Sequence, residues 1–144
     1  MNAYADTGLL ISLYGLDANS ALACSLVHRH HPVFLLTGFG EAEFANACRL
    51  RVFRKEWASS EASEVREIFG SDVRSGVLRL ENLPEQVWML VERLSGQHTA
   101  RLGTRTLDVL HVATALLLKS EAFFSFDERQ RKLARAAGLR VLPA

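Results

Sequence analysis

Short apolar runs alternate with polar, helix-compatible stretches along this chain, and the pattern predicts an α/β protein. Asn2 to Ala5 reads as a short strand that runs into Asp6. Thr7 to Tyr14 carries Leu9, Leu10 and Leu13 on one side, as a helix with one buried face does. A second helix is expected from about Asp17 to His30, with Asp17 or Asn19 as its cap. Pro32 breaks the pattern, and the β-branched, apolar run Val33–Thr37 reads as a buried strand. Gly38 to Gly40 turn the chain into a helix over Glu41–Lys55, and Ser59–Ser75 predicts a more polar, more exposed one. Val77–Leu80 is a short strand. Pro84 marks the start of a helix that continues to about Leu94, because its missing N–H costs little in a first helical turn. Ser95–Arg105 is mostly polar, holds two glycines and is expected as a loop. Thr106 then caps a long apolar helix to about Lys119, Ala122–Phe126 is a strand, Glu128–Ala137 is a helix closed by Gly138, and Arg140–Leu142 is a last strand.

Five short strands separated by helices argue for a parallel sheet with helices on both faces. With 144 residues, 49% of them hydrophobic and 23% charged, the chain suits a single domain over residues 1–144 with one well-packed core. Net charge is +1, so any basic surface must come from uneven distribution. Arg49, Arg51, Arg54 and Lys55 do bunch together, and Arg101 and Arg105 lie just ahead of an acidic motif. The first residues lack a basic and then apolar leader, and no apolar run is long enough to span a bilayer; a soluble, cytoplasmic protein without a membrane partner is expected. Cys24 and Cys48 share no metal-type spacing, sit inside helix-like stretches and, in a reducing compartment, read as two core thiols.

The candidate chemistry lies in four carboxylates. In an open α/β sheet, ligands bind beyond the C-terminal ends of the strands. Asp6 ends the first strand, Asp127 follows the Ala122–Phe126 strand, and Asp108 stands in the first turn of its helix. Glu43 is expected in the opening turn of the helix after the second strand. Taken singly, an Asp after a strand can be only a helix cap, and a Glu in a first turn only a solvated partner of the helix dipole. Asp108 differs, because it sits in Thr-Leu-Asp-Val-Leu-His-Val-Ala among residues that favour burial, with no Lys or Arg before Leu118. A buried carboxylate needs a positive partner, and a divalent cation is one. Mg²⁺ and Mn²⁺ favour such oxygen ligands, and can activate water against a phosphodiester. No Cys/His zinc pattern is present.

These residues resemble the PIN-domain ribonucleases, and in particular the VapC-like toxins of type II toxin–antitoxin pairs. The likeness covers nearly the whole chain. It runs through Tyr-Ala-Asp6-Thr-Gly-Leu-Leu, Glu43-Phe-Ala-Asn46-Ala, Thr106-Leu-Asp108-Val-Leu-His111-Val-Ala-Thr-Ala, Phe123-Phe-Ser125-Phe-Asp127-Glu-Arg-Gln and the tail from Leu133 to Val141. It implies a PIN-like three-layer α/β/α sandwich with a short, mainly parallel five-stranded sheet. It also implies a metal-dependent endoribonuclease acting as a toxin through bound Mg²⁺ or Mn²⁺. Asp6, Glu43, Asp108 and Asp127 would be the catalytic acids, with Asp6, Asp108 and Asp127 at the metal. Ser125 stands where relatives carry a threonine and would orient water or a carboxylate. The implied partners are an RNA substrate, a small antitoxin and a second copy of the chain.

Glu41 lies two residues before Glu43, about 200° around a helix, so the two cannot enter one site easily; the Glu-Phe-x-Asn-Ala context favours Glu43. Arg49, Arg101 and Arg105 are candidates for contact with RNA phosphates, against the alternative of a solvated helix face. His111 reads as a buried, hydrogen-bonded histidine, with a catalytic base as the alternative, and His28, His30 and His31 as complements to a helix C-terminus. Trp57 and Trp88 read as packing or interface anchors, while Phe39, Phe44 and Phe53 suggest an apolar groove. Two other classes compete: another α/β phosphoryl-transfer hydrolase, and a non-catalytic PIN-like binding module. A haloacid-dehalogenase-like phosphatase would need an Asp where Gly8 stands. A receiver domain would need an acidic pair where Ala5 precedes Asp6, and a lysine after a late strand. The presence of all four acids argues against the binding module.

Overall fold

A computed structural model covers residues 1–144, and at its centre lies strand β1 (Asn2–Ala5). Helices α1 (Thr7–Tyr14) and α2 (Ser20–His30) lead to β2 (Val33–Leu36), and α3 (Gly38–Phe53) and α4 (Ser59–Ser75) lead to β3 (Arg79–Leu80). Then α5 (Val87–Leu102) and α6 (Thr106–Leu117) bring the chain to β4 (Ala122–Phe124), and α7 (Glu128–Ala136) to β5 (Val141–Leu142). The strands pair in the order β3-β2-β1-β4-β5, every pair parallel. Tyr4 is in register with Leu35 on one side and Phe123 on the other.

Burial on both faces explains the apolar strands, and their two-residue period divides them between two cores. Ala3, Ala5, Phe34, Leu36, Phe124 and Leu142 face one core, which α1 to α4 close with Leu9, Leu26, Phe44 and Phe69. Tyr4, Phe123 and Val141 face the other, which α5 to α7 close with Leu90, Val109 and Leu133. The result is the three-layer α/β/α sandwich, and the five strands are all parallel.

Several boundaries depart from the sequence pattern. Ser95–Arg105 is not a loop: α5 continues to Leu102, because Gly96 is the weakest helix former between Leu94 and Leu102 and one glycine costs only about 1 kcal/mol. The helix stops at Gly103, whose φ of 67° lets its N–H turn back to the Thr99 carbonyl at 2.8 Å. Its start lies at Val87 rather than Pro84. Gly38 to Gly40 belong to α3, which begins after Thr37 and places Glu43 in the second turn rather than the first. Gly40 is needed there, since a Cβ would come within 2.9 Å of Leu36 Cδ1. Arg105, not Thr106, caps α6. The suggested Phe groove does not form: Phe44 lies in the first core, Phe39 packs at the edge of the second, and Phe53 is 83% exposed. Trp57 is buried and donates to the Leu16 carbonyl, whereas Trp88 is exposed. The cluster His28, His30 and His31 does end α2, with His31 as its left-handed cap.

Candidate functional site

The chain moves outward from β1 to β2 and β3, then returns to the other side of β1 as β4 and β5. The crevice beyond the C-terminal ends of β1 and β4 is therefore the switch point, where loops diverge and leave room for a ligand. A pocket of about 430 Å³ lies there, with Asp6, Glu43, Asp108 and Asp127 all in its walls.

Asp6 is fixed most tightly. Its backbone N–H donates to the Phe124 carbonyl at 3.1 Å, tying it to β4, and its side chain caps α1 by accepting from the Leu9 N–H at 2.8 Å. The second carboxylate oxygen accepts from the Ser125 hydroxyl, and Ser125 Oγ in turn accepts from the Asp127 N–H at 3.0 Å. Ser125 thus joins the acid after β1 to the acid after β4. Asp127 caps α7 through the Gln130 N–H at 2.9 Å and leaves its carboxylate exposed. The buried Gln130 amide reaches from α7 to α6 and donates to Asp108 Oδ1 at 3.1 Å, while Asp108 Oδ2 accepts from the Arg105 N–H at 2.8 Å.

Glu43 closes the pocket from α3. Its Oε1 accepts from the Thr7 hydroxyl and lies 2.6 Å from His111 Nε2, while Oε2 has no partner in the protein. His111 Nδ1 lies 2.8 Å from the Tyr4 hydroxyl, deep in the second core. Arg54, at the end of α3, and Arg105, at the start of α6, face the same pocket, and neither forms an ion pair.

Burial pushes the Asp6 carboxyl above the ordinary carboxylate value and nearby Asp127 adds to the rise; the Ser125 hydroxyl, the Leu9 N–H and the His111 ring act against it. Burial also opposes the charged form of Glu43, but the hydrogen bonds from the His111 ring and the Thr7 hydroxyl outweigh it, and that carboxyl lies below its ordinary value. Burial, with the fields of Glu43 and Asp6, raises the Tyr4 phenol and keeps it protonated. These shifts act on stability with opposite signs. Glu43 contributes stability above its unfolded value near 4.5, and this is lost as pH falls through its lower folded value. Asp6 contributes stability at low pH that is lost as pH rises through its raised folded value. Glu43→Gln is expected to be less stable than the parent at neutral pH, with the gap closing below pH 4.5. Urea midpoints measured across that range check it.

All four predicted acids and Ser125 meet at one place, and Glu41 is absent from the pocket walls. The burial of the acids differs from what the sequence pattern predicts. Asp108 is half-buried, with two protein donors on its carboxylate; Asp6, 2% exposed, is the acid whose burial is costly. Among the arginines, Arg105 lines the pocket, whereas Arg49 and Arg101 do not, Arg101 facing His98 Nδ1 at 3.1 Å. Arg51 is committed to Asp17 and Glu56 and lies over the Trp57 ring. Arg54 belongs to the basic cluster of the sequence without standing out from it, and Thr7 and Gln130 carry no motif of their own that marks them as part of the site. Thr7 follows Asp6 directly and Gln130 is the third residue after the Asp127 cap, so adjacency to the acids was the available signal.

No protein-family model matches the chain, and no curated protein matches it. Solved structures do. VapC20 from Mycobacterium tuberculosis, described as a sarcin-ricin loop cleaving toxin, superimposes with a TM-score of 0.71 over 95% of this chain and 95% of its own, at 17% identity. A chain of VapBC2 from Rickettsia felis, solved with a DNA fragment from their promoter, gives a TM-score of 0.66 over 98% and 97%, at 12% identity. From end to end, the chain has the PIN-like fold of the VapC toxins.

Proposed function

We propose that the protein is a Mg²⁺- or Mn²⁺-dependent endoribonuclease and the toxin of a toxin–antitoxin pair. One observation carries this reading: four carboxylates share the pocket at the switch point without any Lys or Arg ion pair among them, while two uncommitted arginines stand in its walls. The likeness to a toxin described as cleaving the sarcin-ricin loop supports RNA as the substrate, and the likeness to a chain of VapBC2 supports an antitoxin partner. A homodimer and a cytoplasmic location belong to the same reading. No helix is long and apolar enough to cross a membrane.

The donor set fits the ion. It is entirely oxygen, and buried Asp6, raised by desolvation with Asp127 near, is a group that a cation would relieve. Mg²⁺ is commonly held by one or two carboxylates with several retained waters, which requires no ready three-ligand cluster, and the side chains form none. Of Asp6, Asp108 and Asp127, one or two would ligate it directly and the rest would meet it through retained waters. Bound there, the ion would supply charge neutralisation at the phosphodiester and lower the pKa of water. Ser125 and Gln130 hold Asp6 and Asp108 in place. Glu43, kept ionised, offers Oε2 to orient the attacking water, and Arg54 and Arg105 meet the phosphates on either side.

Purified protein is expected to cleave RNA with added Mg²⁺ or Mn²⁺, to stop with EDTA and to recover when Mn²⁺ is returned in excess. Cleavage that persists through chelation would remove the metal from the mechanism. Expression without an antitoxin is expected to arrest growth; if growth continues, the toxin role falls while the nuclease reading stands on the cleavage assay.

A further inference from the structure

A file of three side chains runs from the middle of the sheet to the pocket: Tyr4 on β1, His111 on α6 and Glu43 on α3. Tyr4 and His111 are both buried, and Phe39 covers the imidazole with its ring centre 4.9 Å away. An apolar residue at 111 would fill this part of α6 without a polar group to satisfy, since its neighbours are Leu110 and Val112. The arrangement is also asymmetric at its outer end, where Glu43 Oε1 takes both Thr7 and His111 and Oε2 takes neither.

Hydrogen accounting fixes the direction of the file. An ionised carboxylate can only accept, so His111 Nε2 carries the proton that points at Glu43. The Tyr4 O–H is buried and has His111 Nδ1 as its only partner, so it donates there and Nδ1 accepts. We propose that Tyr4 and His111 are positioning residues: the Tyr4 hydroxyl holds His111 in its Nε2–H tautomer, and His111 with Thr7 pins Glu43 Oε1 so that Oε2 is the oxygen presented to the reacting water. The tautomer stands on the hydrogen bonds alone, whereas its effect on rate rests on the ribonuclease reading. The outer partner of an active-site histidine sets which nitrogen bears the proton and how the ring is turned, and here that partner is a phenol.

Two measurements test it on the full chain. In ¹⁵N spectra of the metal-free protein, the His111 signals, assigned by their loss in His111→Gln, are expected to show Nε2 protonated and Nδ1 bare. A proton on Nδ1, whether alone or together with one on Nε2, would overturn the proposal. Tyr4→Phe keeps the ring that stacks on Phe123 and removes only the hydroxyl. It is expected to broaden the Nε2 proton signal and to lower kcat about 10-fold with KM little changed, at the low end of the usual range for an outer-sphere partner. A sharp signal with full kcat would overturn it.

The second measurement separates positioning from packing. The His111→Gln amide ends near the place of Nε2 and can still donate to Glu43, so it should retain more of kcat. His111→Asn ends near Nδ1 and leaves Glu43 with Thr7 alone, so kcat should fall about 10–100-fold. Equal losses in the two variants would show that the ring merely fills space. If the parent protein cleaves no RNA at all, the nuclease reading fails and the spectrum alone decides the tautomer.

Discussion

Asp6→Asn is expected to abolish cleavage and, in metal-free protein, to raise the melting temperature. Asn is nearly isosteric and caps a helix as well as Asp does, so the Leu9 N–H keeps an acceptor. The Ser125 hydroxyl can turn to accept from the new amide, so the loop after β4 keeps its partner. What disappears is a charge held at 2% exposure with no cationic side chain paired to it. Because the folded Asp6 carboxyl lies above its ordinary value, its ionisation destabilises the fold as pH rises, and the advantage of the Asn variant should grow from acid to neutral pH. The rate is expected to fall by roughly 10²–10³-fold or more, the scale of losing one group that stabilises developing charge. Added Mn²⁺ should raise the melting temperature of the parent and leave the variant unmoved. Full cleavage by Asp6→Asn would sink the proposed role of this carboxylate, and a variant that melts lower at neutral pH would show that the buried charge is better compensated than its surroundings indicate.

The largest loss of stability is expected from Phe44→Ala. Phe44 is fully buried, stacks on Phe69 with ring centres 3.7 Å apart and meets Tyr14 edge-on at 6.0 Å, so one ring joins α1, α3 and α4. Removing a buried aromatic ring costs about 3–5 kcal/mol. Against a total stability of about 5–15 kcal/mol for an ordinary domain, that is a large share. The damage should also reach the pocket, because Glu43 is the adjacent residue on α3 and its aim depends on how that helix is seated. Urea denaturation reads the first effect. Cleavage below the unfolding range should be lower than the folded fraction explains, while Phe44→Leu should keep most of both properties. A Phe44→Ala variant with an unchanged midpoint would mean that the α3–α4 layer can collapse into the space.

Asp6, Asp108 and Asp127 were legible because each sits at an interruption of the apolar pattern next to a strand end or a helix start. Their order of burial was not. Of the apolar residues around Asp108, Val109 and Leu110 face the core from the other side of α6, whereas Leu107 is exposed and the carboxylate itself emerges beside it at the pocket. Asp6 is the buried one, because it directly follows the central strand and its N–H is tied to β4, and sheet order is a tertiary fact that local pattern does not carry. The same limit hid the cross-links. Thr7 to Glu43 spans 36 positions and Gln130 to Asp108 spans 22, and no window of sequence places those partners together. Arg54 was obscured differently: it lies just past the last turn of α3, where helical periodicity no longer says which way a side chain points. The segment 95–105 shows the converse limit, since a polar composition fits an irregular loop and the exposed face of a helix equally well.

The hydrogen bond between Ser125 and Asp6 joins residues 119 positions apart, and Gln130 lies further along still. On the ribosome, therefore, the first strand leaves the tunnel with its later neighbour unmade. At about 5–20 residues per second, several seconds pass before the remaining wall of the pocket has been translated. If the protein cleaves RNA as proposed, a nascent chain in that interval has no assembled centre with which to attack the RNA that surrounds it. The central position of the first strand thus postpones any hazard until that wall has emerged, and on the proposed toxin reading this leaves time for a neutralising partner to be at hand.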